Sequence, residues 1–273
     1  MPKISFPGAN QTELAHYWDD HGNRLTAMAT IVKQHTPPEG LVLDVGAKPF
    51  FLSQLLIDQG YSYTGIGVSG KEKDLRTDQI SACSTGPTEN QKFSIALTSE
   101  TGTTEIPLYE VNIELNTWPF ADQTFDTLIW TETLEHLTCD PAFAWQQANR
   151  TLKTGGTLLF SVPNALYWVR AIQLLAGKNI DDPYSWHGPF GRHNRLYTIK
   201  EITSLAKLHG FEVDQIRSYN FPEQTMSTKK KIITTIAHTV GKLTGQRQGK
   251  TIVAVLKKTT DANTVQRPGF LYH

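Results

Sequence analysis

From Asn112 to Asn164 the chain runs N-I-E-L-N-T-W-P-F-A-D-Q-T-F-D-T-L-I-W-T-E-T-L-E-H-L, then a segment with helical spacing, then R-T-L-K-T-G-G-T-L-L-F-S-V-P-N. Two buried strands are legible in it. Thr127-Leu128-Ile129-Trp130 is an apolar run after a polar turn, and Thr157 to Val162 is opened by Gly155-Gly156 and closed by Pro163. Continuous apolar strands separated by helices belong to a parallel sheet covered on both faces. Ligands of such sheets bind at the carboxyl ends of the strands. Glu132, Glu135 and His136 follow directly after one such end.

Working outward, the same grammar repeats. Asn10 to Gln34 has helical spacing, with Gly22 as a candidate break and Pro37-Pro38-Glu39-Gly40 as its stop. Leu41 to Ala47 reads as a strand running into an acid and a glycine. A helix follows from Phe51 to Gln59, and then a strand from Tyr61 to Val68. Lys92 to Leu97 and Ile106 to Ile113 suggest a hairpin around Thr101-Gly102, within an insertion spanning about 69–110. A second insertion, 164–197, holds an apolar helix from Ala165 to Leu175 and a lid-like loop rich in Gly, Pro, His and aromatics. Thr198 with Glu201 forms a capping box, and Phe211 to Ser218 and Thr251 to Lys257 are the last strands. The expectation is a single α/β domain over 1–258 and a loose polar tail over 259–273.

The bulk properties narrow the function. The 273 residues are 39% hydrophobic and 19% charged, enough for a packed core. Twenty-six basic and 26 acidic residues cancel, which disfavours a grip on long nucleic acid. Cys83 and Cys139 are far apart and form no metal-like spacing. The first residues lack an apolar h-region and no run is long enough to span a bilayer, so a cytoplasmic protein is expected.

Asp44-Val45-Gly46-Ala47 suits a cofactor with a charged head: the glycine admits close approach, and the acid can accept from an ammonium. On its own it is equally an ordinary strand-to-helix turn. Glu132, Glu135 and His136 are spaced i, i+3, i+4, which on a helix puts them on one face, able to hold a divalent cation. The bland reading is a histidine that packs or hydrogen-bonds near the substrate. Lys229, Lys230 and Lys231 open a basic segment at 227–243 that could touch an anionic membrane, although a solvated face is the simpler reading.

L-D-V-G-A, W-P-F-A-D-Q-T-F-D and R-T-L-K-T-G-G, in this order, resemble the S-adenosylmethionine-dependent methyltransferases of the Rossmann-like class, over roughly Leu41 to Phe211 and the last strand. The resemblance implies a seven-stranded, mostly parallel sheet with a reversed last hairpin, helices on both faces and S-adenosylmethionine as cofactor. It implies cofactor contacts at Asp44, Gly46 and Ala47 near the methionine end, Gly67 and Val68 near the ribose, Asn112 and Ile113 near the adenine, and Thr131 on the pocket floor. The sequence departs from the pattern at Lys48-Pro49-Phe50, where glycine is usual, and at Gly67, where an acid usually holds the ribose. E-x-x-E-H also resembles plant-type small-RNA 2′-O-methyltransferases and ubiquinone-pathway O-methyltransferases, which bind a metal there. By that resemblance His193, in H-N-R-L-Y-T, completes a set of Glu132, Glu135, His136 and His193 for Mg²⁺ or another divalent cation. Without metal, His136 or His193 would serve as general base. The P-N, G-R-H-N-R-L-Y-T and G-F arrangement is similar to bacterial enzymes of cell-surface polysaccharide pathways. It implies a sugar, glycan or related small-molecule acceptor. An RNA 2′-hydroxyl, a quinone precursor and an inactive binding subunit are the alternatives.

Overall fold

The computed structural model describes residues 4–6, 8–67, 91–100, 102–184, 191–222, 235, 239 and 249–272. Helix α1 spans Gln11–His35, capped by Asn10, whose side chain accepts from the Thr12 and Glu13 amides. It runs unbroken through Gly22, which is buried, so the expected break there does not occur. Strand β1 (Leu41–Val45), helix α2 (Phe51–Ile57) and strand β2 (Ser62–Gly67) follow. Then come β3 (Gln91–Ser99), β4 (Gly102–Glu110), β5 (Phe125–Thr131), α3 (Pro141–Thr151) and β6 (Leu152–Pro163). Helices α4 (Trp168–Leu175) and α5 (Ile199–Leu208) precede β7 (Phe211–Tyr219) and β8 (Thr251–Lys258).

The strands form one sheet in the order β3-β4-β2-β1-β5-β6-β8-β7. Strands β4, β2, β1, β5 and β6 are mutually parallel, whereas β3, β8 and β7 pair antiparallel. This is the expected seven-stranded arrangement with its reversed last hairpin, extended at one edge by β3. Only one strand of the expected hairpin insertion is therefore an addition. Strand β4 pairs in parallel with β2 and is part of the sheet itself. The chain order turns around at β1, whose neighbours are β2 and β5. The crevice beyond the carboxyl ends of these strands is where such a sheet binds ligands.

Each sheet face carries its own core. Leu43, Val45, Trp130, Trp145 and Phe160 pack on one side, and Trp18, Met28, Val42, Phe51 and Ile129 on the other. The two halves of the opening motif clasp each other. Arg150 donates to the Trp118 and Phe120 carbonyls and pairs with Asp122 at 2.7 Å, while Lys153 pairs with Asp126 at 2.7 Å. The approach to β5 and the turn into β6 are thereby one hydrogen-bonded unit. Helix α4 differs from the rest, since none of its residues is buried and Ile172, Leu174 and Leu175 are exposed.

The tail is docked rather than loose. The Ala262 amide donates to Asn149, Arg267 pairs with Asp140 at 2.6 Å, and the Tyr272 hydroxyl bonds Asp140. Asp140 is also the N-cap of α3, accepting from the Ala142 amide at 2.8 Å. The expected basic segment 227–243 lies, apart from Thr235 and Thr239, outside the described residues. Removing Asp140 takes away the cap and two of the three tail anchors. We expect Asp140→Ala to lose about 1–2 kcal/mol, seen as a melting temperature lower by roughly 2–8 °C in calorimetry.

Candidate functional site

The crevice is shaped by backbones that could not approach so closely with side chains. Gly46 follows β1 with φ +85°, and its amide donates to the Ile66 carbonyl at 2.8 Å. A Cβ there would lie 2.2 Å from the Thr133 hydroxyl. That hydroxyl is itself held by the Val45 and Thr131 carbonyls at 3.1 and 3.0 Å. The loop after β5 therefore rests directly on the loop after β1. A cavity of about 200 Å³ opens beside them, lined by Gly46, Ala47, Gly67, Asn112, Ile113, Glu132 and His136 among others. A smaller one of about 50 Å³ shares Gly46, Ala47 and Glu132 and adds Asp44, Thr131 and Arg24. Of the cofactor residues expected from sequence, all but Val68 line one of these two cavities, and Val68 lies outside the described residues.

Asp44 is buried and accepts from the Tyr63 hydroxyl at 2.7 Å. Burial pushes its carboxyl up to about 7, against the opposing hydrogen bond from Tyr63. Beside it in the small cavity is Arg24, a buried cation on α1 that sequence reasoning passed over as part of an amphipathic helix. The only signal for it was an arginine on an otherwise apolar face, next to Leu25 and Met28. Glu114 was also missed. It lines the larger cavity, and its carboxylate accepts from the Thr138 and Cys139 amides, tying the loop after β4 to the loop before α3. The Glu114 amide in turn donates to Asn112 at 3.1 Å.

The acidic–histidine motif is not a helical face. Glu132 stands at φ +49°, at the turn out of β5, and Leu134–His136 form a single 3₁₀ turn. Glu132 accepts from the Ser161 hydroxyl at 2.9 Å and faces both cavities. The group that converges is Glu135, His136 and His193, whose nearest ligand atoms all lie within 4.8 Å of one another. Glu132 stands outside this group, because the left-handed backbone at its position and its bond to Ser161 turn it away from the spacing a helix would impose.

His193 comes from the far insertion, and the two segments are stitched together by main chain. The Asn194 amide donates to the Glu135 carbonyl at 2.7 Å, and the Asn194 side chain donates to the His136 carbonyl at 2.9 Å. The imidazole centroids are 5.0 Å apart. His136 Nδ1 lies 2.9 Å from the Arg192 carbonyl, which requires that nitrogen to carry the proton. His193 Nδ1 lies 2.8 Å from Asp182. Both rings therefore turn Nε2 toward Glu135 Oε1, at 3.7 and 3.9 Å. Glu135 is fully buried, and among the described residues neither carboxylate oxygen has a hydrogen-bond partner. Burial, and next the nearby Glu132 charge, push its carboxyl well above the usual range. Burial also pulls both histidines below theirs. Two imidazole Nε2 atoms and a carboxylate thus face one point. Such a set is stable only with something positive at its centre, a proton or a cation. The two Nε2–Oε1 separations, 3.7 and 3.9 Å, are shorter than the sum of two metal–ligand bonds of about 2.0–2.2 Å, so these three residues could hold a divalent ion.

With this geometry in place, the comparisons with known proteins are consistent. Residues 11–216 match the methyltransferase domain family. The chain belongs to that family. The fold is also found in solved structures. A SAM-dependent methyltransferase from Archaeoglobus fulgidus covers 89% of this chain and 99% of its own, with a TM-score of 0.51 at 14% identity. A SAM-dependent methyltransferase from Thermotoga maritima covers 90% and 95%, with a TM-score of 0.51 at 16% identity. A curated relative, the ubiquinone biosynthesis O-methyltransferase of Nitrosomonas europaea, is 29% identical over 164 residues, 56% of this chain. The chain spans 60% of the length of that relative. The fold is that of the SAM-dependent class I methyltransferases, and no helix among the described residues is long and apolar enough to cross a membrane.

The contact between Gly46 and Thr133 makes a sharp prediction. Gly46→Ala forces a Cβ into the Thr133 hydroxyl in a left-handed backbone. It should cost about 1–3 kcal/mol in denaturant unfolding and abolish S-adenosylmethionine binding in calorimetry.

Proposed function

We propose that this chain moves the methyl group of S-adenosylmethionine to an acceptor hydroxyl, with Glu135, His136 and His193 facing that hydroxyl. The observation that carries the reading is the convergence of two Nε2 atoms and a buried carboxylate, unpartnered among the described residues, beside the larger cavity. In this reading Asp44 receives the cofactor ammonium, and Arg24 its carboxylate by a charge-assisted pair. Asn112 and Ile113 border the adenine, and the Gly46–Ala47 turn lets the methionine chain pass close to the backbone. S-adenosylmethionine supplies an electrophilic methyl on a sulfonium. The acceptor oxygen attacks that carbon in line, the carbon–sulfur bond breaks, and the hydroxyl proton leaves to the histidine pair or to solvent.

An alcohol is a weak nucleophile at neutral pH, so its proton must be handled. A divalent cation held by Glu135, His136 and His193 would lower the hydroxyl pKa and orient it. Such an ion can chelate two neighbouring oxygens, which favours a vicinal diol. We therefore place a sugar or glycan hydroxyl first among acceptors. The exposed Tyr184 ring against Arg192, at 4.8 Å, offers a stacking surface of the right kind near the site. A quinone-precursor phenol is the second reading, favoured by the name of the Nitrosomonas relative and by the exposed aliphatic side chains of α4. A membrane-facing role for 227–243 and a cytoplasmic location remain expectations drawn from sequence.

Two experiments test this. Below its pKa of about 7, free Asp44 is protonated and must ionise to receive an ammonium. Cofactor affinity should therefore rise between pH 5.5 and about 7.5, by at most tenfold per unit, and Asp44→Asn should flatten the rise. For catalysis, Glu135→Gln should leave cofactor affinity within about twofold while lowering kcat at least ~100-fold. Chelator should do the same to the unaltered protein, reversed by Mg²⁺ or Mn²⁺. Full activity in chelator would remove the cation and leave a histidine as the base.

A further inference from the structure

Asp44 does not meet the cofactor cavity alone. The parallel register of β1 and β2 sets Val42 opposite Tyr63 and Asp44 opposite Gly65. Residues two apart on a strand share a face, so Asp44 and Tyr63 look to the same side of the sheet, diagonally across the ladder. Gly65 has no side chain to fill the place between them. A Cβ there would lie 2.9 Å from the Ala47 Cβ and 3.8 Å from Tyr63 Cε1. The Tyr63 ring lies beside this position, and its hydroxyl donates to Asp44 Oδ2 at 2.7 Å. Both residues are buried, yet Asp44 also borders the smaller cavity with Arg24. This carboxylate thus has a tyrosine on one oxygen and a cavity at its edge.

We propose that Tyr63 is a positioning residue for cofactor binding: its hydroxyl holds Asp44 Oδ2, so that the carboxylate is presented to the methionine ammonium in one orientation. This rests on the reading above that Asp44 receives that ammonium. Tyr63 does not line either cavity, so it acts through Asp44. The hydrogen bond has two effects. It fixes the rotation of the carboxylate, which burial alone does not. It also favours the charged form of the acid, because an ionised carboxylate accepts the hydroxyl proton more strongly than a neutral one. Around the pair stand Tyr17 and Arg24 of α1, Lys48 after β1, Ser53 of α2 and Glu132 after β5. All of these stay in place when only the Tyr63 hydroxyl is removed, so a change in Asp44 is then due to that one donor.

Two measurements on the full-length protein test this. With ¹³C-labelled aspartate, the Asp44 carboxyl resonance, assigned with Asp44→Asn, should titrate with a midpoint of about 7 in the unaltered protein. In Tyr63→Phe the midpoint should rise by at least about half a pH unit. Calorimetry with S-adenosylmethionine should then show Tyr63→Phe weaker by about threefold or more at about pH 6, and by less than about twofold at about pH 8. Added to Asp44→Asn, Tyr63→Phe should change the affinity by less than about twofold. A packing defect would instead weaken binding equally at both pH values and in both backgrounds. That result, or an unmoved Asp44 midpoint, overturns the proposal. If Tyr63→Phe fails to fold, replacing Tyr63 with 3-fluorotyrosine decides it: a stronger donor of nearly the same size should lower the midpoint, and an unmoved midpoint overturns the proposal. An unaltered protein whose Asp44 responds to Tyr63 as stated, but which binds no S-adenosylmethionine, overturns the functional reading and the proposal with it.

Discussion

The buried Glu135 carboxylate, faced by two imidazole nitrogens and without a hydrogen-bond partner among the described residues, is the constraint around which the far half of the molecule is built. An unpartnered carboxylate with no exposure is costly to keep ionised. Folding tolerates it only because the surrounding main chain is over-determined. The Glu135 carbonyl accepts from both Asn194 and Arg195, the His136 carbonyl accepts from the Asn194 side chain, and Asp182 accepts from the His193 backbone amide. The insertion between β6 and α5 is thus more than decoration. It delivers one of three converging side chains, and its attachment points are the two residues it serves.

The cofactor side is organised by a different economy. Here the ends of β1 and β5 come together because Gly46 carries no side chain: a Cβ there would strike the Thr133 hydroxyl. Thr133 links the two halves. It sits between Glu132 and the 3₁₀ turn bearing Glu135 and His136, and its hydroxyl is bonded to the carbonyl of Val45, next to Gly46. A change in the cofactor loop is therefore felt within a few residues by the acceptor-side group.

Much of this was legible beforehand, for reasons that can be stated. Strands β5 and β6 announced themselves because each is a continuous apolar run closed by a turn signal; the motifs W-P-F-A-D-Q-T-F-D and R-T-L-K, read together by resemblance, meet in the structure where Arg150 and Lys153 hold Asp122 and Asp126. The capping box at Thr198 and Glu201 formed as its spacing dictates. What was not legible depended on long-range contact. Periodicity alone suggests a helix for Glu132 to His136, but Glu132 takes a positive φ and pairs with Ser161 on β6, 29 residues away. Nothing local marks Arg24 as lining a cavity with Asp44, or Asp182 as the partner of His193. The tail reads as polar and loose because its anchors, Arg267 and Tyr272, find Asp140 only in three dimensions. Helix α1 ignores Gly22 because its buried face runs on from Trp18 through Leu25 and Met28.

The central claim is that the point faced by Glu135, His136 and His193 is where a cation and the acceptor hydroxyl meet the methyl donor. A crystal structure with S-adenosylhomocysteine and Mn²⁺, measured at the manganese absorption edge, tests it most directly. The account predicts an anomalous peak within bonding distance of Glu135 and both Nε2 atoms, with the cofactor sulfur facing it from the Gly46 side. An empty cluster with the cofactor bound, or a sulfur directed away from it, would contradict the account.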